Sequence, residues 1–124
     1  MSHSKKILIV DDSKLVLSLH RNILKTLGYE CSSAENGAVA LESCMTTKFD
    51  LILTDINMPK MDGYEFTKKV RVVLGYEEVP IIMISSEKND QDKGKALEAG
   101  VNVYIVKPVS ADDLTTHVKM LLGV

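Results

Sequence analysis

An apolar run, Leu51–Ile52–Leu53, leads through Thr54 to Asp55 and then breaks into the loop Ile56-Asn57-Met58-Pro59-Lys60-Met61-Asp62-Gly63. A carboxylate at the end of a buried strand is costly unless it is paired or has chemistry to perform. Three other apolar runs end on groups that could join it. Lys6–Val10 leads into Asp11 and Asp12, Ile81–Ile84 into Ser85 and Ser86, and Val103–Val106 into Lys107 and Pro108. Three carboxylates and an ammonium, with no thiol or imidazole among them, suit Mg²⁺, Mn²⁺ or Ca²⁺ rather than zinc.

These groups can act together only if the chain brings the run ends to one place. The four runs above, with a weaker one at Glu30–Ala34, have the length and β-branched content of strands. Segments with helical spacing lie between them. In the first, Leu15, Leu19, Ile23 and Leu27 recur every four residues, Val16 and Leu24 widen the stripe, and Gly28 closes it. Val39, Leu41, Cys44 and Met45 make the apolar face of the second. The third runs from about Tyr64 to Leu74, with Phe66, Val70, Val73 and Leu74 inward. The fourth, Asn89 to Gly100, is the weakest. It holds Gly94, which costs about 1 kcal/mol relative to Ala, and only Ala96, Leu97 and Ala99 as an apolar face. The last spans about Ala111–Leu122, started by Ser110 and Asp113 in a capping-box-like arrangement. Five strands alternating with five helices predict an α/β, doubly wound five-stranded parallel sheet. Right-handed crossovers favour the flavodoxin-like (βα)5 order 2-1-3-4-5. In such sheets ligands bind beyond the carboxyl ends of the strands.

In that order the first and third strands are neighbours, about 4.8 Å apart, and the fifth lies roughly 10 Å from the third. A lysine's long stem spans such a gap. Two carboxylates about 5 Å apart repel by about 3 kcal/mol at an effective dielectric near 20. Three of them make about three such pairs, more than one lysine offsets. Either some pKa values rise or a divalent cation binds. Few protein oxygens, with room for water and phosphate, suit Mg²⁺ best. The ion and the lysine together cancel the three acidic charges, so an incoming phosphoryl group is no longer repelled. Asp55 is then suited to act as a nucleophile, since carboxylates form acyl phosphates. Phosphoryl transfer needs mainly positioning and charge neutralisation. Pro59 and Gly63 shape the loop that follows.

Each residue also has an ordinary structural reading. Asp12 or Ser13 could cap the first helix. Lys107 could snorkel at a turn, Ser85 and Ser86 could be turn residues, and Tyr104 could be core packing. Their meeting in one group favours the chemical reading. The bulk properties agree. A chain of 124 residues, 45% hydrophobic and 26% charged, has the size and balance of one soluble domain. A net charge of −2 argues against nucleic-acid binding. The start, MSHSKK, is no signal peptide, and no run is long enough for a membrane span, so a cytoplasmic location is expected. Cys31 and Cys44 have no metal-type spacing and read as small buried hydrophobes. His3, His20 and His117 are scattered, with no catalytic or metal role expected.

Taken in order, "VDDS" at 10–13, "DINMPKMDG" at 55–63, Ser85 and "KP" at 107–108 closely resemble the receiver domain of two-component response regulators. The likeness covers essentially the whole chain and is nearest the stand-alone, chemotaxis-type receivers, which share the 2-1-3-4-5 order. The resemblance implies that Asp55 is the phospho-acceptor. It implies that Asp12 and Asp55 ligate Mg²⁺ directly, Asp11 through water, and Asn57 through its backbone carbonyl. Lys107 would contact the phosphoryl oxygens, and its bond to Pro108 would be cis. Ser85 would turn to hydrogen-bond the phosphoryl group, and Tyr104 would be the aromatic switch. Asn57 and Glu87 match positions that tune dephosphorylation, which implies a phosphoryl lifetime of seconds to minutes.

The chain is then a phosphorylation-dependent signalling switch. Its phosphoryl donor would be a histidine kinase, a histidine phosphotransfer protein or a small acyl phosphate. It would catalyse only its own phosphorylation and dephosphorylation. Phosphorylation would reset the weak fourth helix through Ser85 and Tyr104. Output would be protein–protein contact through the fourth helix, fifth strand and fifth helix, with no output domain following. A monomer or weak dimer is expected, with no nucleic-acid or membrane partner. Two alternatives stay open. A haloacid-dehalogenase-type phosphatase uses a similar strand-end Asp but wants a second Asp where this chain has Asn57. A receiver-like scaffold would signal without phosphorylation. A flavodoxin-like FMN binder fits less well, because Asp11 and Asp12 would repel the cofactor phosphate.

Overall fold

The computed structural model describes residues 4–123, so His3 and Val124 lie outside the described residues. Ten elements alternate strictly: β1 (Lys6–Val10), α1 (Lys14–Thr26), β2 (Glu30–Ala34), α2 (Gly37–Thr46), β3 (Leu51–Thr54), α3 (Gly63–Arg71), β4 (Ile81–Ser85), α4 (Asp90–Ala99), β5 (Val103–Val106) and α5 (Ala111–Leu122). The strands form one sheet in the order β2-β1-β3-β4-β5, every pair parallel, as the alternation predicts.

The sheet is buried on both faces, which is why β1, β3 and β4 read as unbroken apolar runs. Leu8, Val10, Ile52, Ile81 and Met83 face α2, α3 and α4, where they join Ala40, Phe66, Val70 and Ala96. The alternate residues Ile7, Ile9, Leu51, Leu53, Ile82 and Ile84 meet Leu17 and Leu24 of α1 and Leu114 and Val118 of α5. Each helix starts on a side-chain cap. Ser13, Asn36, Asp62, Asn89 and Ser110 accept the backbone N–H three residues on, each cap worth about 1 kcal/mol.

Four helical faces differ from the sequence expectation. In α1 the buried stripe is Leu17, His20 and Leu24, while Leu15 and Leu19 are 80% and 55% exposed. Spacing by four advances about 40° too far per step on a 3.6-residue helix. The first members of that series therefore turn to solvent, and only Ile23 and Leu27 reach the core. In α2, Val39 and Met45 are exposed and Ala40 and Cys44 go inward. Small residues there let the helix sit close to the sheet. The third helix stops at Arg71, so Leu74 leaves the helical phase and is 92% exposed. Leu97 of α4 also points outward, leaving Ala96 and Ala99 as its buried face. Cys31 is only partly buried, Cys44 fully, and both are free thiols.

A polar staple fixes the end of the molecule opposite the strand tips. Arg71 donates from Nε and Nη2 to the Gly100 carbonyl at 3.1 and 2.6 Å, and from Nη1 to the Tyr76 and Val79 carbonyls at 3.0 and 2.5 Å. Its Nη2 also reaches Asn102 Oδ1 at 2.9 Å, and that oxygen accepts from the Ile81 N–H. One guanidinium thus joins the end of α3 to the turns before β4 and β5. Nothing in the spacing of Arg71 announces this.

Candidate functional site

Register places the groups singled out above on one edge. Val10 pairs with Thr54, so Asp11 and Asp55 follow level strand ends. Ser85 pairs with Val106, so Lys107 follows directly on the next strand. The fourth strand extends to Ser85, one residue beyond the predicted run, and Ser85 is completely buried.

The loop after β3 is held by two close approaches. The Gly63 N–H donates to the Ile56 carbonyl at 2.8 Å, and a Cβ at residue 63 would sit 2.1 Å from the Asp55 carbonyl oxygen. On the other side, the Gly37 N–H donates to the Met61 carbonyl at 3.1 Å, and a Cβ there would lie 2.6 Å from it. Lys60 turns the loop with a positive φ of 69°. Gly63 therefore fixes the loop by admitting backbone contact, while Asn57 stands exposed on it.

The carboxylates and the lysine converge. One oxygen each of Asp11, Asp12 and Asp55 lies within 4.8 Å of the others. Lys107 Nζ is 3.3 Å from Asp11 Oδ2 and 3.4 Å from Asp55 Oδ2. The remaining oxygens are held by the backbone. Asp11 Oδ1 accepts from the Ser13 N–H at 2.9 Å, and Asp55 Oδ1 accepts from the Ile56 N–H at 2.8 Å. Asp11 is buried and Asp12 is exposed, so the cluster opens to solvent on the Asp12 side. The Lys107–Pro108 peptide is cis.

Burial pushes the Asp55 carboxyl above its ordinary value. Lys107 opposes that shift, Asp11 adds to it, and the Ile56 N–H counters it. Desolvation prevails, so the lysine alone does not neutralise this edge. The donor set is all oxygen, carries three acidic charges against one ammonium, and is half-open to water. That fits a hard divalent cation.

A second group surrounds Glu87. Ser85 Oγ accepts from the Glu87 N–H at 3.0 Å, and the Tyr104 hydroxyl donates to the Glu87 carbonyl at 2.8 Å. The Tyr104 ring packs against the core. The turn leading into α4 is thus gripped from both sides by the two residues expected to act as switches.

His20 is the neighbour that sequence reasoning missed. It is buried on α1 and lines a small cavity beneath Asp11 and Asp55, with Leu53 and Ile84. Burial lowers its pKa, Asp11 raises it in part, and Lys107 lowers it further. The available signal was its place between Leu17 and Leu24 on the true inward stripe.

Comparison with known proteins agrees with this geometry. The family model described as the response regulator receiver domain matches residues 7–119. The chain belongs to the response regulator receiver family. This receiver is 42% identical over 122 residues to the chemotaxis protein CheY1 of Helicobacter pylori, covering 95% of this chain and 97% of that one. A solved structure of Vibrio cholerae chemotaxis protein CheY4 superposes with a TM-score of 0.93 at 33% identity, covering 97% of this chain and 100% of that one. The receiver domain of sensor histidine kinase PA1611 from Pseudomonas aeruginosa, solved with magnesium coordinated in its active-site cleft, gives a TM-score of 0.91 at 29% identity. It covers 98% of this chain and 100% of that one. The receiver is of the chemotaxis type, and its acidic cluster stands where such receivers bind metal and accept phosphate. Among the described residues no helix is long and apolar enough to cross a membrane.

Proposed function

We propose that this receiver accepts a phosphoryl group on Asp55 from a histidine kinase, a histidine phosphotransfer protein or a small acyl phosphate. The observation that carries this reading is the convergence of Asp55 with Asp11, Asp12 and the Lys107 ammonium on one strand edge. An Asp55 oxygen forms the new bond to phosphorus as the phosphorus bond to the donor imidazole or acyl oxygen breaks. The bonding electrons of that broken bond leave with the donor. Asp11, Asp12, Asp55 and the Asn57 carbonyl would hold Mg²⁺, which when bound would supply positive charge against the phosphoryl oxygens. Lys107 adds a further cation within reach of the Asp55 carboxylate. Ser85 turns its hydroxyl to the transferred group, and Tyr104 follows the released turn. Asn57 and Glu87 flank the path by which water reaches the acyl phosphate and so tune its lifetime.

The readout is protein–protein contact through α4, β5 and α5. Leu97 on α4 and Met120 on α5 are both largely exposed, and β5 is an edge strand of the sheet. The chemistry is confined to the protein's own phosphorylation and dephosphorylation. Asn57 offers a carboxamide where a haloacid-dehalogenase-type phosphatase needs a second acid. Intact mass after acetyl phosphate and Mg²⁺ tests the reading. One added phosphoryl group is expected on the wild type and none on Asp55→Asn. Sustained turnover of p-nitrophenyl phosphate would overturn it in favour of a phosphatase.

A further inference from the structure

Little apolar surface holds α4. Its buried residues are Ala96 and Ala99, and a Cβ at Gly94 would meet nothing within 4 Å. Two alanine side chains bury only a small area, so polar contacts take a large share of the anchoring. One such contact comes from α3. The Tyr64 hydroxyl lies 3.3 Å from the Asp92 carbonyl oxygen and 3.4 Å from Asp92 Oδ1. Lys95 Nζ stands 4.9 Å over the Tyr64 ring, a cation–π contact. Asp92 belongs to the first turn of α4, where its own N–H is capped by Asn89 at 2.8 Å.

Tyr64 is also one residue from the backbone clamp beside Asp55. Gly63 donates to the Ile56 carbonyl and has no room for a Cβ against the Asp55 carbonyl oxygen. Tyr64 therefore connects the Asp55 loop to the start of α4 by a route that bypasses Ser85 and Tyr104. We propose that Tyr64 is a second latch on α4, a positioning residue whose bond to Asp92 holds the resting state against the phosphorylated one. The proposal rests on Asp55 being the phosphoryl acceptor.

The direction follows from the hydrogen bonds around Glu87. Turning Ser85 toward a phosphoryl group withdraws the acceptor from the Glu87 N–H. Tyr104 holds the carbonyl of that same residue, so the turn ahead of α4 shifts. Three residues beyond the Asn89 cap, the Tyr64–Asp92 bond resists. Burial and the Asp92 charge push the Tyr64 phenol up to about 12, which keeps its proton available for that bond.

The test uses beryllofluoride with Mg²⁺ as the probe, on the wild type and Tyr64→Phe. Phe keeps the ring and its contact with Lys95 but loses the hydroxyl. The variant is expected to bind beryllofluoride about two- to tenfold more tightly, the effect of one net hydrogen bond lost from the competing state. Amide exchange over residues 90–99 is expected to be faster without the mimic. Asp92→Ala, which removes Oδ1, is expected to shift affinity the same way. A variant with lower thermal stability but wild-type affinity, or one that binds more weakly, refutes the latch alone. A wild type that binds no beryllofluoride sinks the phosphoryl-acceptor reading, and the latch falls with it.

Discussion

Replacing Asp55 with Asn removes one charge from the crowded strand edge while keeping the side chain's shape and its acceptor for the Ile56 N–H. Without a divalent ion the attraction and the repulsion acting on the Asp55 carboxylate nearly cancel. Lys107 at 3.4 Å attracts Asp55 by about 5 kcal/mol at an effective dielectric near 20. Asp11, within 4.8 Å, repels it by about 3.5 kcal/mol on the same scale. Exposed Asp12 adds about 1 kcal/mol of repulsion after screening. What remains is the desolvation of a buried carboxylate, the dominant cause of its raised pKa. Asp55→Asn relieves that penalty, and Lys107 retains Asp11 as a partner at 3.3 Å. In chelator the variant is expected to be about 1–2 kcal/mol more stable than the wild type. On the scaling for domains near this size, that is a melting temperature higher by roughly 3–10 °C. Mg²⁺ reverses the ranking by stabilising the wild type alone. At a hundredfold excess over its Kd, one bound ion adds about 2.7 kcal/mol. Urea unfolding of both proteins, in chelator and in Mg²⁺, provides the assay. An Asp55→Asn protein less stable than wild type in chelator, or equally stabilised by Mg²⁺, would refute the electrostatic account of this edge.

Three further outcomes are expected. Gly63→Ala forces a Cβ to within 2.1 Å of the Asp55 carbonyl oxygen, so urea unfolding should show a loss of about 3 kcal/mol or more together with weaker Mg²⁺ binding. His20 is held neutral by burial, its pKa lowered from 6.5, so in chelator the unfolded chain binds the extra proton first. Its contribution to stability is present above pH 6.5 and is lost as pH falls from there through the lower native value; His20→Gln should flatten that slope in unfolding measured against pH. Replacing Asn57 and Glu87 together with bulky or basic residues should change the decay rate of the phosphorylated protein severalfold, and an unchanged rate would remove both from the lifetime role.

The site was more legible in the sequence than the helices around it. Asp11, Asp55 and Lys107 each follow an apolar run directly, and a parallel sheet brings such positions to one edge whatever the exact element bounds. The α1 face was misread because Leu15 and Leu19 keep a four-residue spacing that drifts round the helix, while the true stripe includes a histidine. Leu74 was misread because α3 stops at Arg71, and a helical phase carries no information past its cap. The Arg71 staple joins four carbonyl or amide oxygens from distant turns, contacts that local pattern does not encode. Gly63 was singled out as a turn former, yet its value lies in letting two backbone segments touch, a tertiary fact.

The Arg71 staple also bears on how α4 can respond to phosphorylation of Asp55. Gly100, the left-handed residue that ends α4, has its carbonyl clasped by both Nε and Nη2 of Arg71. That end is a fixed pivot. The opposite end, about 15 Å away for a ten-residue helix, begins at Asn89 and is fastened through the Tyr64 and Tyr104 hydroxyls and a short turn. The helix is therefore a lever rather than a sliding rod. If α4 moves on phosphorylation, the displacement is expected to be greatest at Asp90 and to fade toward Ala99, so a partner gripping the first turn would read the full stroke and one gripping the last turn almost none.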